Sequence, residues 1–309
     1  MAERDGGAPP RIALVGCGRW GRYILRDLLA LGSTVVVADP AASARAHAAA
    51  AGVATFADVA QLPAVDGIVV ATPTGSHAAV LETLLPRGVP TLCEKPLTAD
   101  AASAERVAAR GAGQLFVMDK WRYHPGIEAL RDLAAGGELG PVRGLRTTRI
   151  GWVNPHTDVD AVWILAPHDL SIALEVLGEI PTPRRALGER LDGSAVGLFG
   201  VLGDDPWMAL DVSVARPEQR REVCLYCRDA IAVLPGAYSE HLWIVHSDGA
   251  EQRRPISTEP PLRRELQAFL AHLGGGPPPK SSAADGVAIV QALERLRALA
   301  GLTNGAAAR

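Results

Sequence analysis

Three glycines near the start of the chain, Gly16, Gly18 and Gly21, have the spacing of a phosphate-binding turn, G-x-G-x-x-G. In such a turn the first glycine permits a tight bend, the second lets the backbone approach a pyrophosphate, and the third lets helix and strand pack closely. The diphosphate then rests on N–H groups at the helix N-terminus, where the helix dipole favours an anion. We therefore predict a dinucleotide site that includes these glycines and the intervening Arg19 and Trp20.

The segments on either side of this turn are those that a dinucleotide site needs. An apolar run at 12–15 predicts a buried strand, residues 23–31 have helical periodicity, and a second apolar run at 35–38 ends in Asp39. An acid there accepts hydrogen bonds from the adenosine ribose hydroxyls and repels the 2′-phosphate of NADP. The glycines alone would also suit a purely structural turn, but strand, helix and acid together favour dinucleotide binding, with NAD preferred to NADP.

Strands and helices alternate from Asp39 to Met118, which predicts a doubly wound parallel sheet. The predicted strands are 53–56, 66–73, 89–93 and 115–118, and the predicted helices are 41–51, 77–86 and 99–110. In such sheets, ligands bind beyond the carboxyl ends of the strands. The further candidate cofactor contacts at these ends are Thr72, Pro73, Thr74, His77, Glu94, Lys95 and Pro96. His77 equally suits a structural role at the start of a helix.

The pattern changes after Met118, and strands dominate the second half of the chain. Predicted helices at 126–135 and 167–178 flank a strand at 143–151 and a long loop. The predicted strands that follow are 194–202, 207–215, 221–227, 230–234 and 241–246, and the closing helices are 260–273 and 285–300. This order predicts an α/β chain with an N-terminal Rossmann-type domain at 1–119 and a C-terminal α+β domain at 120–309, whose open sheet is mostly antiparallel.

The composition is that of an ordinary globular protein and excludes several classes of partner. The 309 residues are 48% hydrophobic and 21% charged, with a formal net charge of −3 and no block of lysines or arginines. Nucleic acid and anionic membranes are therefore not expected partners. No apolar run approaches the roughly 18 residues of a membrane span, and the polar start of the chain lacks the pattern of a signal peptide. We expect a cytoplasmic protein.

The four cysteines suggest neither a disulfide framework nor a metal site. Cys224 and Cys227 form a C-x-x-C within a predicted strand, where positions three apart point to opposite faces of the sheet. No second cysteine pair exists to complete a zinc site, and no His, Asp or Glu cluster has ligand spacing. We therefore expect structural cysteines and no metal.

The chain resembles the glucose–fructose oxidoreductase/inositol dehydrogenase family (Gfo/Idh/MocA) along most of its length. The segments that carry the resemblance are GCGRWG at 16–21, ATPTGSH at 71–77, CEKP at 93–96, WRYHP at 121–125, APHDLSIALEVLG at 166–178, PLRRELQAFLAHL at 261–273 and SSAADGVAIVQALE at 281–294. The resemblance implies a dinucleotide domain followed by an α/β domain whose open sheet forms one wall of the substrate site. It also implies NAD or NADP, with hydride passed to or from a carbon that bears oxygen or nitrogen.

Lys95 and His168 are the catalytic residues that the resemblance implies. Lys95 follows Glu94, the implied contact of the nicotinamide ribose, and is the general acid or base for the proton that accompanies hydride transfer. Its bond to Pro96 is implied to be cis. His168 is implied to open a helix, to face Lys95 across the cleft and to hydrogen-bond the substrate. The alternatives are a surface lysine beside a turn and a histidine that caps a helix or packs in the core.

We predict further substrate contacts where the chain passes from the first domain to the second, and in the long loop before residue 167. These candidates are Arg122, Tyr123, Trp152, Asn154 and Trp163. Arg122 and Tyr123 equally suit packing between the domains, whereas the loop is where substrate choice usually resides. Asp169 suits either a supporting acid or a first-turn acid that the helix dipole favours.

This chain departs from the resemblance at Ile164. Relatives commonly have aspartate four residues before the histidine, in the pattern W-D-L-A-P-H-D, and isoleucine can neither share a proton nor orient an imidazole. The departure puts the family's Lys–Asp–His relay in doubt. We therefore predict that His168 is a neutral hydrogen-bonding partner and that Lys95 moves the proton largely alone, unless Asp158 or Asp160 replaces the missing acid.

The sequence thus predicts an NAD(H)-dependent oxidoreductase that acts on a hydroxyl or carbonyl group of a sugar, sugar nucleotide or cyclitol. One alternative is reduction of a C=N bond in a biosynthetic pathway, which needs only a proton donor. Another is a dinucleotide-binding regulator without catalysis, which Ile164 favours and the presence of Lys95 and His168 disfavours. The exposed sheet of the second domain is implied to form a homodimer or homotetramer.

Overall fold

The chain forms two structural units, the first of which is made from two separate segments. A computed structural model describes residues 9–152 and 159–302. The first unit comprises Met1–Asp119 together with Leu262–Val287, and the second comprises Lys120–Pro261 together with Ala288–Arg309. The predicted second domain at 120–309 is therefore not contiguous, because the segment 262–287 belongs to the first unit.

The first unit contains a six-stranded sheet in which every pair of neighbours is parallel. Its strands are β1 (Arg11–Val15), β2 (Thr34–Ala38), β3 (Ala54–Phe56), β4 (Gly67–Val70), β5 (Thr91–Glu94) and β6 (Leu115–Met118). Their order across the sheet is β3-β2-β1-β4-β5-β6. The predicted α/β fold class, with a Rossmann-type sheet, is confirmed. Since the strands are parallel, the residues that follow β1, β2, β4 and β5 lie along one edge.

Helices cover this sheet and supply much of its core. They are α1 (Arg19–Ala30), α2 (Ala42–Ala50), α3 (His77–Leu84) and α4 (Ala101–Arg110), joined by α7 (Pro261–Leu273) from the later segment. Leu262, Leu266 and Phe269 of α7 recur at helical spacing and pack in the same cluster as Leu14 of β1 and Leu28 of α1. Burial of this apolar stripe is the physical reason why the segment 262–287 belongs to the first unit.

The second unit contains an eight-stranded sheet that is antiparallel except where β7 and β10 pair. Its strands are β7 (Val142–Ile150), β8 (Pro183–Leu191), β9 (Ser194–Leu202), β10 (Trp207–Ser213), β11 (Arg220–Cys227), β12 (Ala230–Leu234), β13 (His241–His246) and β14 (Glu251–Pro255). Their order is β14-β13-β12-β11-β7-β10-β9-β8. The sequence did not predict β8 and β14, which form the two edges, because exposed edge strands rich in charge lack the apolar alternation of a half-buried strand.

Helices α5 (Pro125–Gly136), α6 (Ala161–Leu177) and α8 (Ala283–Leu299) complete the chain. Helix α6 begins at Ala161, six residues before the predicted start at Pro167, which lies inside the helix. Proline at the first turn of a helix is favourable, so Pro167 indicated a start there. The actual start is determined by Asp160, whose side chain accepts hydrogen bonds from the N–H groups of Val162 and Trp163.

All four cysteines are free and buried. Cys224 faces the side of β11 opposite to its neighbour Leu225, and burial raises the pKa of the Cys224 thiol to about 11. Burial also raises the pKa values of Cys17, Cys93 and Cys227. Buried thiols with raised pKa values react slowly, in agreement with the structural role predicted for them.

Candidate functional site

The three glycines of the phosphate-binding turn each occupy a distinct steric environment at the end of β1. Gly16 has a φ of +92°, and a Cβ atom there would lie 2.6 Å from the carbonyl oxygen of Ala71. A Cβ atom on Gly21 would overlap the carbonyl oxygen of Gly16, so that glycine permits the close approach of α1 to the turn. Gly18 has no neighbouring atom within 4 Å of an added Cβ, which leaves its backbone open to a ligand. This arrangement fits a bound diphosphate.

The N-terminus of α1 is electropositive and has no side-chain cap. Its N-cap residue is Gly18, which has no side chain to accept from the first N–H groups, and its first turn contains no acidic residue. Arg19 adds a cationic side chain at the same end. Because the helix dipole and the first N–H groups favour an anion, the residues of this turn would hold the diphosphate of a dinucleotide.

Asp39 lies directly after β2, beside the turn. Its Oδ2 accepts a hydrogen bond from the Cys17 N–H at 2.7 Å, and its Oδ1 accepts one from the Ala41 N–H at 2.8 Å. The side chain is therefore buried and fixed in position at the edge where the adenosine ribose is expected. Arg45 approaches from α2 and donates to the carbonyl oxygens of Asp39 and Pro40 at 2.8 and 2.7 Å.

His77 connects the segments that follow β4 and β5. Its Nδ1 lies 3.0 Å from the carbonyl oxygen of Pro96, and its Nε2 lies 2.9 Å from the carbonyl oxygen of Thr72. The ring is buried between these carbonyl groups. Of the two roles that the sequence left open for His77, these contacts support the structural one.

The segment 72–76 is held by its own hydrogen bonds. The Ser76 hydroxyl lies 2.9 Å from the Thr72 hydroxyl and 2.7 Å from the carbonyl oxygen of Pro73, and a short 3₁₀ turn covers Thr74–Ser76. Thr74 is buried, whereas Thr72 and Pro73 are more exposed at the sheet edge. Thr72 and Pro73 therefore have the more accessible positions of the three predicted contacts.

Glu94 and Lys95 end β5 at the same edge. The Trp20 indole N–H donates to Glu94 Oε1, and the Lys95 backbone N–H donates to Glu94 Oε2 at 3.1 Å. Both carboxylate oxygens are thus fixed, one of them by a residue of the glycine turn. The Lys95–Pro96 peptide bond is cis, as the resemblance implied. The first unit therefore brings together the glycine turn, Asp39, Glu94 and Lys95.

In the second unit, His168 is the eighth residue of α6 and does not lie at its start, which corrects the prediction. The next residue, Asp169, is buried and forms a two-point ion pair with Arg149 of β7, with Nε–Oδ2 at 2.9 Å and Nη2–Oδ1 at 3.3 Å. The Arg149 guanidinium also lies 4.4 Å from the ring centre of Trp121. Asp169 is therefore a supporting acid that fixes α6 to the sheet.

Several predicted substrate contacts have structural partners within the second unit. Arg122 forms an ion pair with Glu175 of α6 at 3.1 Å, and Tyr123 is buried. Trp163 is 4% exposed, and the Arg297 guanidinium lies 5.5 Å from its ring centre. These surroundings favour packing over ligand contact for the three side chains. Trp152 is 61% exposed.

Asn154 and Asp158 lie outside the described residues. Asp160, the other acid proposed as a substitute in the relay, caps α6 and pairs with Arg297 at 2.8 Å. Eight residues separate Asp160 from His168, which is about 12 Å along a helix axis. Asp160 therefore has a structural role and does not replace the missing acid. Ile164, buried one helical turn before His168, supplies apolar surface there.

Sequence reasoning missed the arginines of the second unit. Arg149 and Arg221 lie directly opposite each other on β7 and β11, and Arg297 of α8 reaches the start of α6. The adjacent pair at 220–221 was visible in the sequence. Successive side chains of a strand point to opposite faces of the sheet, so one arginine of this pair must face the helices. This rule could have predicted a buried arginine in β11.

Within 9–152 and 159–302, no group of three or more His, Cys, Asp or Glu side chains is arranged to hold a metal ion. None of the helices in these ranges combines the length and apolar character needed to cross a membrane.

Comparison with known proteins gives a consistent result. The Gfo/Idh/MocA family model, described as "Oxidoreductase family, NAD-binding Rossmann fold", matches residues 10–116. UDP-N-acetylglucosamine 3-dehydrogenase of Acidithiobacillus ferrooxidans is 33% identical over 58% of this chain and 58% of that protein. Inositol 2-dehydrogenase of Rhizobium meliloti is 26% identical over 90% of this chain and 93% of that protein.

A solved structure of the same Acidithiobacillus ferrooxidans enzyme, GnnA, superimposes with a TM-score of 0.84 at 25% identity and covers 95% of this chain and 98% of that chain. In sequence, the chain spans about half the length of the first curated relatives that it matches, 44% for the rhizopine catabolism protein MocA of Rhizobium meliloti and 58% for the 3-dehydrogenase. The structural match extends through both units of the fold.

Proposed function

We propose that this chain, which resembles the Gfo/Idh/MocA oxidoreductase family over residues 10–116 and in its fold, is an NAD(H)-dependent oxidoreductase. The substrate that we propose is a sugar, sugar nucleotide or cyclitol with a hydroxyl or carbonyl group at the reacting carbon. The relatives named above act on such molecules. The observation that carries the proposal is the edge of the first unit, where the glycine turn, Asp39 and Lys95 follow β1, β2 and β5 of one parallel sheet.

Each group at this edge has a distinct part in the proposed reaction. The N-terminus of α1 holds the diphosphate, Asp39 holds the adenosine ribose, and Glu94 holds the nicotinamide ribose. When bound, the nicotinamide supplies or accepts the hydride. Lys95 Nζ donates a proton to the carbonyl oxygen during reduction, or accepts the hydroxyl proton during oxidation.

We test this role with Lys95→Ala and Lys95→Arg, assayed as NADH oxidation with a panel of keto-sugars and cyclic imines. If Lys95 moves the proton, Lys95→Ala lowers turnover by about 10²–10⁴, the usual contribution of general acid–base catalysis. Lys95→Arg keeps the charge but cannot give up a proton, so we expect it to fail as well. The NADH dissociation constant changes little in both, because the glycine turn and Asp39 provide most of the binding. Near-native turnover of either variant would remove Lys95 from the proton-transfer step.

The same panel separates the alternative functions. Turnover with cyclic imines and not with keto-sugars would indicate C=N reduction. NADH binding with no turnover on any member of a broad panel would indicate a dinucleotide-binding regulator. The hydroxyl or carbonyl substrate that we propose requires turnover with a keto-sugar, or NAD⁺ reduction with the matching alcohol.

His168 is proposed as a neutral hydrogen-bonding contact of the substrate. Ile164 lies four residues earlier on α6 and is 8% exposed, so it adds apolar surface and no charge at that turn. A carboxylate at position 164 would instead favour the imidazolium form. We therefore expect Ile164→Asp to change the dependence of turnover on pH. An unchanged profile, together with loss of activity in Asp158→Ala, would show that the relay acid lies at 158.

A further inference from the structure

Two arginines lie directly opposite each other on adjacent strands of the second unit. Arg149 of β7 and Arg221 of β11 are register partners, and both side chains are on the face that carries α6. Like charges in directly opposed positions destabilise a sheet. A protein that keeps two guanidinium groups in this arrangement needs anions to compensate them.

Asp169 compensates only the first of these charges. Its two oxygens lie at 2.9 and 3.3 Å from Arg149, and both side chains are almost wholly buried, with 1% and 4% exposed. The Arg149 guanidinium also lies over the Trp121 ring. The charges of Arg149 and Asp169 therefore neutralise each other.

Arg221 has only neutral partners. Its Nη1 donates to the carbonyl oxygens of Ile150 and Arg220, and no carboxylate of the described ranges forms an ion pair with it. Burial, together with the charge of Arg149, lowers the pKa of the Arg221 guanidinium, while the more distant Asp169 raises it. The second guanidinium is thus a partly buried cation whose charge the described residues leave unbalanced.

A second donor lies beside Arg221. Arg221 Nη2 and Gln219 Nε2 lie 3.6 and 3.5 Å from the point that a Cβ atom on Gly151 would occupy. Gly151 follows β7 and has no side chain, so both N–H donor groups lie close to the backbone there. Two residues before Gly151, Arg149 pairs with Asp169, which directly follows His168 on α6.

We propose that Arg221, assisted by Gln219, binds an anionic group of the substrate, a carboxylate or a phosphate. The assignment to substrate rests on the proposed oxidoreductase function, but anion binding itself can be measured without turnover. Guanidinium groups suit both anions because their paired N–H donors match two oxygen atoms. Among the proposed substrates, this favours a uronic acid or a sugar nucleotide over a neutral cyclitol.

The probes are two matched pairs titrated into NADH-saturated protein by calorimetry. UDP is compared with uridine, and D-glucuronate with D-glucose, so that each pair differs in the charged group. We expect one charged member to bind and its neutral counterpart to bind at least about tenfold more weakly, as expected for loss of hydrogen bonds to a charged group. Binding of UDP indicates a sugar nucleotide, and binding of glucuronate indicates a uronic acid.

The variants are Arg221→Gln and the matched control Arg220→Gln. Arg220 is the adjacent residue on the opposite face, where it is half exposed and pairs with Glu222 at 2.8 Å. Arg221→Gln is expected to weaken binding of the charged probe about 10- to 100-fold, Arg221→Lys to recover part of it, and Arg220→Gln to leave it unchanged. Equal binding by wild type and Arg221→Gln, or no binding of either charged probe, would overturn the proposal. Failure of NADH to bind would instead count against the proposed function.

Discussion

At the scale of single residues, the cofactor edge depends on how one carboxylate is held. Glu94 accepts from the Trp20 indole at one oxygen and from the Lys95 backbone N–H at the other. Trp20 belongs to the glycine turn, so this hydrogen bond links the diphosphate site to the nicotinamide end. We therefore propose that Trp20 is a positioning residue that acts on the cofactor through Glu94.

Trp20→Phe tests this link. Phenylalanine keeps an aromatic ring beside Tyr23, whose ring centre lies 5.6 Å away, but it removes the indole N–H. We expect the KM for NADH to rise about three- to tenfold, because the loss of one ordinary hydrogen bond costs about 0.5–1.5 kcal/mol, while kcat changes little. Tyr23→Phe is the control and should behave as wild type. Equal KM values in Trp20→Phe and wild type would show that Glu94 is positioned by other contacts.

The residues of this edge differ in how far sequence could predict them. The positions of Gly16 and Asp39 could be predicted from the residues, because each follows a strand with a strong apolar pattern and its residue type suits a dinucleotide site. The role of Lys95 was implied by the family resemblance and stays a prediction. The Trp20–Glu94 hydrogen bond joins positions 74 apart in the chain. Only the packing of α1 against the sheet brings them together, and no local pattern encodes that distance.

At the scale of elements, the start of α6 depends on a contact with α8. Asp160 caps α6 and accepts from Arg297, which is 5% exposed and lies over the Trp163 ring. The prediction placed this start at Pro167 because the local signal of proline is strong. The actual cap was not predicted, since its partner lies 137 residues later in the chain.

Asp160→Ala should therefore be more damaging than the loss of an ordinary cap. We expect about 1 kcal/mol from the cap and a further cost because Arg297 is left buried without its carboxylate, for a total of about 2–4 kcal/mol. Asp100→Ala is the matched control: Asp100 caps α4 through the Ser103 N–H at 2.7 Å, and we expect only about 1 kcal/mol there. Urea unfolding followed by circular dichroism measures both. Equal losses in the two variants would show that Arg297 contributes nothing.

At the scale of the whole molecule, one face of the eight-stranded sheet has large apolar side chains that are exposed in the described part of the second unit. Register places Leu187 of β8 and Phe199 of β9 opposite each other on the face away from α6, and they are 73% and 43% exposed. Trp243 of β13 is exposed on the same face. We propose that this face joins two copies of the chain, as the resemblance implied.

Leu187→Arg combined with Phe199→Arg tests the proposed interface. A symmetric interface would bury the new arginines of both copies without compensating anions, which strongly destabilises the contact. The double variant should therefore elute as a monomer, whereas the wild type elutes as a dimer or tetramer. Size-exclusion chromatography with light scattering gives the masses. Leu29→Arg, on the surface of α1, is the control and should keep the wild-type mass. A monomeric wild type, or an unchanged mass in the double variant, would contradict this assignment.

The division into units shows where sequence reasoning stops. The first crossing near 119 coincides with a change from alternating strands and helices to consecutive strands, which is visible in the sequence. The return of 262–287 to the first unit is not visible. The apolar residues of α7 recur with helical periodicity, which predicts that one face of the helix is buried. This periodicity does not show which of the two units buries that face.

The central claim is that the first unit binds NAD(H) through the glycine turn and Asp39. Fluorescence titration of the purified protein with NADH and with NADPH tests it most directly. We predict saturable binding of both, with NADH tighter by about tenfold or more, because Asp39 would hydrogen-bond the ribose hydroxyls and repel the 2′-phosphate. Arg45, which lies against the Asp39 and Pro40 carbonyl oxygens, is the nearby cation that would favour NADPH. Equal or tighter binding of NADPH, or no saturable binding of NADH, would contradict the account.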